Sequence, residues 1–236
     1  MTRLVREDFS EFKSFLGSFT FSEPLKNDAY VAAIKAAHGK FLALLAMVGE
    51  LDHSDGAAHE FFVRDYSEHG SQYLSEALSD CAESLICISI GANRAGSCCL
   101  RSAIESYSKA MALSEAPSIL TCTSVPEVFS LAGASAFFSG SVSNASLAQL
   151  RSAYSELNRF VHTAASGHMF GVPAVGQFPS YTAHTTALSR IYARVIRLFL
   201  LGFVGARRDL FDRFDHRNRD LIIAALTRDQ RRLALG

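Results

Sequence analysis

Two stretches of this chain carry polar residues of catalytic type at helical spacing. Along 94–113, Arg94, Arg101 and Glu105 edge an apolar face made by Leu100, Ile104, Tyr107 and Met111, because each helical residue turns about 100°. Along 145–165, Arg151, Asn158 and His162 form a matching strip beside Leu150, Leu157, Val161 and Ala164, with Tyr154 between strip and core. Histidine titrates near neutrality and can carry protons, arginine can hold a phosphate bidentately, and asparagine can orient a hydroxyl or a water. If the two helices pack side by side, Arg101 would bind phosphate, Glu105 would hold Arg101, and His162 would exchange protons across a groove. The same residues have a plainer use. Half-buried Asn and His side chains commonly make interhelical hydrogen bonds, and Arg101 with Glu105 at i,i+4 is a helix ion pair of about 0.2–0.5 kcal/mol.

The segment LRSAIESYSKAM (100–111), followed some forty residues later by YSELNRFVHTA (154–164), resembles the HEPN superfamily of helical-bundle proteins. It is most similar to a branch with an L-R-x-x-x-E helix and a later Y-x-x-L-[SN]-x-x-V-H helix. About a quarter of the chain carries the likeness, and the helix order agrees with it. The resemblance implies an RNA-directed protein, often a metal-independent endoribonuclease of toxin and phage-defence systems. Such a protein works as a homodimer and uses the 2′-hydroxyl of RNA as nucleophile. Asn158 and His162 fit the polar residue and the histidine of its signature; with Arg101 and Glu105 of the facing strip they are the expected catalytic set, and Arg94, Arg151 and Tyr154 the expected RNA contacts. The family signature places an arginine directly before the polar residue, and here that position is Leu157. Arg159 points nearly opposite the apolar face, and Arg151 lies roughly 16 Å along the axis from His162, which leaves Arg101 to supply the charge. The alternative is a non-catalytic RNA-binding or protein-interaction module that kept the bundle and lost the nuclease arginine.

Other chemistry is faintly written. Asp52, His53, Asp55, His59 and Glu60 share one polar segment, but their spacing matches no closed zinc signature, so no metal and no cofactor is expected. Phosphate-binding glycine loops, nucleophile elbows and HExxH pairs are absent from the sequence. The five cysteines form no CxxC; an odd count without a secretory h-region points to reduced thiols and a cytoplasmic setting. Cys98 and Cys99 read as structural thiols within a helix. Formal charge sums to zero, yet Thr186 onward holds eleven Arg against five Asp. Arg190, Arg194 and Arg197 recur at helical spacing, followed by Arg207, Arg208, Arg213, Arg217 and Arg219. Such a stripe suits phosphate, but pairing with Asp209, Asp212, Asp215 and Asp220 explains it more simply.

The elements that must position these residues are helical throughout. Only five prolines interrupt 236 residues, and no β-branched alternation or flanked Asn-Gly turn marks a hairpin. The periodicity predicts helices over 3–16 (Leu4, Phe9, Phe12, Phe15 and Leu16 inward), 27–51 (Val31, Ile34, Phe41, Leu42, Leu45 and Val48 inward), 71–90, 94–113, 126–133, 145–165 and 181–206, then one or two short helices. Tyr73, Leu74, Leu78, Leu85 and Ile88 make the apolar face of the 71–90 helix. Gly91 and Asn93 serve as stop and cap, and Asn144 or Ser146 as the cap of the 145–165 helix. The longest apolar runs, such as 198–206, are too short to span a bilayer. The expectation is one all-α domain over 1–236: an antiparallel helical bundle with its core over about 27–206, an extra N-terminal helix, and basic C-terminal helices over 207–236.

Overall fold

The computed structural model describes residues 3–18, 24–52, 68–161 and 183–236, and every regular element among them is helical. In chain order these are α1 (Arg3–Ser18), α2 (Asp28–Asp52), α3 (Glu68–Ser89), α4 (Asn93–Ala112), α5 (Val125–Ala134), α6 (Ser141–Val161), α7 (Ala183–Ala206), α8 (Arg208–Phe211), α9 (His216–Ala225) and α10 (Arg228–Leu235). Short 3-10 turns at Pro24–Lys26, Pro117–Thr121 and Ala136–Phe138 join some of them. The all-α expectation holds. The C-terminal end has three short helices rather than one or two, and α6 begins at Ser141, ahead of the cap positions expected at 144–146.

The long helices pack in a closed cycle: α2 on α3, α3 on α4, α4 on α6, α6 on α7, and α7 back on α2. Helix α7 also touches α3 and α4, so it is the central post of the bundle. Its sequence explains this. Leu188, Tyr192, Val195, Ile196, Phe199, Leu200 and Phe203 are all fully buried, too broad an apolar surface for a helix that faces one neighbour. Helices α1 and α9 lie on α2, α5 covers α4 and α6, and α10 leans on α7. One continuous hydrophobic cluster runs from Phe9 to Leu226.

Buried tyrosines tie the helices by reaching backbone carbonyls. Tyr30 on α2 donates to Ser89 O at the end of α3 (2.6 Å), Tyr192 on α7 to Cys81 O on α3 (3.0 Å), and Tyr107 on α4 to Phe199 O on α7 (2.8 Å). Burial pushes the Tyr30 phenol up to about 12. The Ser89 carbonyl lies in the last turn of its helix, where such groups lack an intrahelical partner, so Tyr30 supplies a cap from another element.

Helix α3 ends as Gly91 predicts. Gly91 has φ 79°, its N–H donates to Ile88 O, and the Ala92 N–H donates to Cys87 O, which is the Schellman arrangement. Asn93 is not the cap expected of it: it is the first residue of α4, buried, with its Oδ1 unpaired, and Ala92 stands at the cap position. Two glycines allow close approach of helices. A Cβ on Gly96 would meet Ile88 Cγ1 at 3.1 Å, and one on Gly205 would meet Val142 Cγ1 at 2.6 Å.

Two apolar faces lie differently from the expected ones. On α1 the inward residues are Val5, Phe9, Phe12 and Leu16, whereas Leu4 and Phe15 are about half exposed (49% and 50%). On α2 the buried set includes Tyr30, Ile34, Ala37, His38, Leu44, Met47, Val48 and Leu51, while Leu45 is exposed. Alanines and aliphatics surround much of α2, so periodicity alone does not select its inner face. This helix is also long and apolar enough, by length and composition, to cross a membrane; in the bundle its buried side faces α3, α7 and α9.

Candidate functional site

Helix α4 presents Arg101 and Glu105 one turn apart, and α6 presents Tyr154 and Asn158 one turn apart, as the wheel positions require. Tyr154 brings the two helices together. Its hydroxyl accepts from Arg101 Nη2 at 2.7 Å and donates to Glu105 Oε1 at 2.8 Å. The Arg101 guanidinium also lies 4.7 Å from the Tyr154 ring centroid, a cation–π distance, and Phe129 of α5 meets the same ring edge-on. Tyr154 is 7% exposed. Burial pushes its phenol up, the Arg101 bond opposes that, and Glu105 adds to it.

The sequence placed Glu105 as a direct holder of Arg101. In the structure the described link between them runs through the Tyr154 hydroxyl. Arg101 Nε and Asn158 Oδ1 are buried without a hydrogen-bond partner, which leaves a donor on α4 and an acceptor on α6 unspent. Such orphaned groups cost free energy unless something pairs with them. Leu157 is fully buried and serves the core. Arg94, Arg151 and Arg159 are exposed. His162 lies outside the described residues, directly after the last described residue of α6.

A feature not foreseen from the sequence adjoins the site. Glu76, Asp80 and Glu83 recur along α3 at i, i+4 and i+7, the face-sharing interval that would have revealed them. Asp80 is half-buried; burial pushes its carboxyl up, a hydrogen bond with Ser102 opposes this, and Glu76, Glu83 and Glu105 add to it. Burial, helped by Cys87 and then by Glu83 and Asp80, raises the Cys99 thiol to about 12, so this cysteine stays protonated and unreactive at neutral pH. Cys98, its neighbour, is exposed. Through Glu105, the acidic row of α3 reaches the edge of the site. A cleft of about 620 Å³ opens between α3 and α4, lined by His69, Gln72, Tyr73, Glu76, Ser102, Ser106 and Leu120; none of the four site residues lines it.

The acidic and histidine-rich segment 53–60 also lies outside the described residues, and among those described no group of three His, Cys, Asp or Glu side chains could hold a metal. The C-terminal arginines divide in two. Arg207 pairs with Asp209 and Arg208 with Asp212, two of the expected partners, whereas Arg194 takes Glu156 of α6. Arg190 and Arg197 instead line a groove against α2. In comparisons with known proteins, no family model, no curated protein and no solved structure matches the chain.

Proposed function

We propose that this chain is a HEPN-like protein that acts on RNA at the seam between α4 and α6, as a cytoplasmic homodimer in a defence or toxin system. The observation that supports this reading best is the convergence of Arg101, Tyr154, Glu105 and Asn158 from two helices, with His162 four residues beyond Asn158 in sequence. The chemistry such a set serves is transesterification within RNA. The 2′-hydroxyl attacks the adjacent phosphorus, its proton passes to a base, and the P–O5′ bond breaks as that oxygen takes a proton. The products are a 2′,3′-cyclic phosphate and a free 5′-hydroxyl. His162 would serve the proton transfers, Arg101 the charge on phosphorus, and Asn158 the orientation of the attacking hydroxyl.

The test is incubation of the purified protein with total RNA in the presence of chelator. The reading expects fragments ending in 2′,3′-cyclic phosphate. It expects His162→Ala to abolish them while stability stays within about 1–2 kcal/mol, and the exposed Arg159→Ala to be nearly silent. Intact RNA with wild type and variant alike would remove the nuclease reading.

One observation favours the second reading, a non-catalytic module. The Arg101 guanidinium is already bonded to a buried phenol that also donates to Glu105, and a carboxylate so near opposes the approach of phosphate. On that reading Arg101, Tyr154 and Glu105 are an interhelical clip. RNA would then stay uncut, and Arg101→Ala would cost stability rather than activity.

A further inference from the structure

Away from that seam, the face of α2 that meets α7 and α9 carries two adjoining cavities of about 290 Å³ and 460 Å³ that share Ala36. The floor of the larger one is Ala29, Ala32, Ala33 and Ala36, and its far wall is α7, with Ser189, Arg190, Ala193 and Arg197. The smaller one continues along α2 past Lys35 and Gly39 to Lys40. Four cations therefore border one groove, and no carboxylate is among the described residues lining either cavity.

None of the four has a carboxylate partner among the described residues, and Lys35 Nζ lies 5.7 Å from the Phe9 ring centroid. Arg194, one turn from Arg197, takes Glu156, which leaves Arg197 without that acid. Arg197 Nε is buried and makes no hydrogen bond. Lys40 Nζ donates to Ala225 O at the end of α9 (2.7 Å), a neutral acceptor. Burial lowers the Lys40 ammonium to about 8, and both Arg197 and Arg231 push in the same direction. Like charges gathered at a half-buried place without an acid raise the free energy of the empty protein, and a bound anion would relieve it.

We propose that this groove is a binding site for a phosphate-bearing small molecule, with the phosphoryl group between Arg197, Lys40 and Arg190 and an apolar part lying over the alanine floor. Arg190 and Arg197 both line the groove, a guanidinium fork matches a pair of phosphate oxygens, and cavities of this size admit a small ligand rather than a folded partner. The alanines matter because larger side chains would fill the groove.

The test is calorimetric titration of the full chain with inorganic pyrophosphate and, in a second arm, with adenosine 5′-diphosphate, at fixed ionic strength and with sodium sulfate as the comparison anion. Saturable one-to-one binding is expected, with affinity reduced about tenfold in Arg197→Gln and in Arg190→Gln. Arg190 is exposed, so the second variant is expected to fold even if the first does not. Arg194→Gln, outside the groove lining, should leave affinity within about twofold. Ala33→Met, which keeps every charge but fills the floor, should abolish adenosine diphosphate binding while pyrophosphate still binds. If pyrophosphate binds and the nucleotide does not, nothing lies over the alanine floor and the proposal fails. Binding of sulfate as tight as that of pyrophosphate, binding unaffected by Arg197→Gln and Arg190→Gln alike, or binding of RNA alone would overturn the proposal.

Discussion

A tyrosine hydroxyl has one proton to give and two lone pairs, so a phenol between a guanidinium and a carboxylate can satisfy both at once. Tyr154 does this between Arg101 and Glu105, from a position almost closed to solvent. Tyr154→Phe removes both bonds and keeps the ring, so stability should fall by about 1–3 kcal/mol, as measured by denaturant unfolding. An unchanged midpoint would mean that Arg101 and Glu105 close on each other directly and the hydroxyl is dispensable. The polar partners themselves were legible from spacing, since Arg101, Glu105 and Asn158 occupy the edge positions a helical wheel assigns. The depth of Tyr154 was not. Wheel geometry gives an angle but not how closely the neighbouring helix approaches, and a residue at the margin becomes core when it does.

At the scale of elements, α1 is held to the bundle by a contact whose charge depends on pH. His38 of α2 is buried, stacks on Phe12 of α1 at 4.8 Å, and places Nε2 2.8 Å from Asp8 Oδ2. Burial lowers the imidazole below its ordinary value, and the Asp8 charge only partly opposes this. The folded chain thus resists a proton that the unfolded chain accepts near pH 6.5. Stability from this group is full above that pH and is lost as pH falls below it. Thermal unfolding followed from pH 7.5 to 5 should show this decline, and His38→Leu should flatten it. A decline of the same size in the variant would assign it to other groups. The face of α1 was half legible: Phe9, Phe12 and Leu16 were read correctly, whereas Leu4 and Phe15 turn outward. The bulky apolar residues of that helix span an arc of about 140°, wider than one contact needs, and docking on α2 picks the side with Val5, Phe9 and Leu16 over the side with Leu4 and Phe15.

For the whole molecule, one contiguous core from Phe9 to Leu226 agrees with a chain poor in prolines and rich in apolar helices. Composition and periodicity were enough for the class. The cycle of neighbours was not legible, because loop lengths constrain which helices pair without choosing among distant ones. The proposed assembly of two copies through α6 is an expectation at this scale. Light scattering should give twice 25.7 kDa across micromolar concentrations, and a single-chain mass there would count against it.

The left-handed glycine between α3 and α4 also bears on the order in which the chain folds. A turn of three residues, Ile90 to Ala92, separates two helices that share the most extensive pairing in the bundle. Closing so short a loop costs little chain entropy, and local pairings of this kind form early. Helix α6, some thirty residues further on, must then arrive at a hairpin that already displays Arg101 and Glu105. In Gly91→Ala the positive φ becomes costly, by about 1–2 kcal/mol. If the hairpin is the nucleus, that loss should appear almost wholly as slower refolding, with the unfolding rate nearly unchanged. Faster unfolding with normal refolding would place the turn late. Tyr154→Phe, which acts where α6 docks, should show the opposite pattern, so the clip between the two helices would be the last part of the site to form and the first to open.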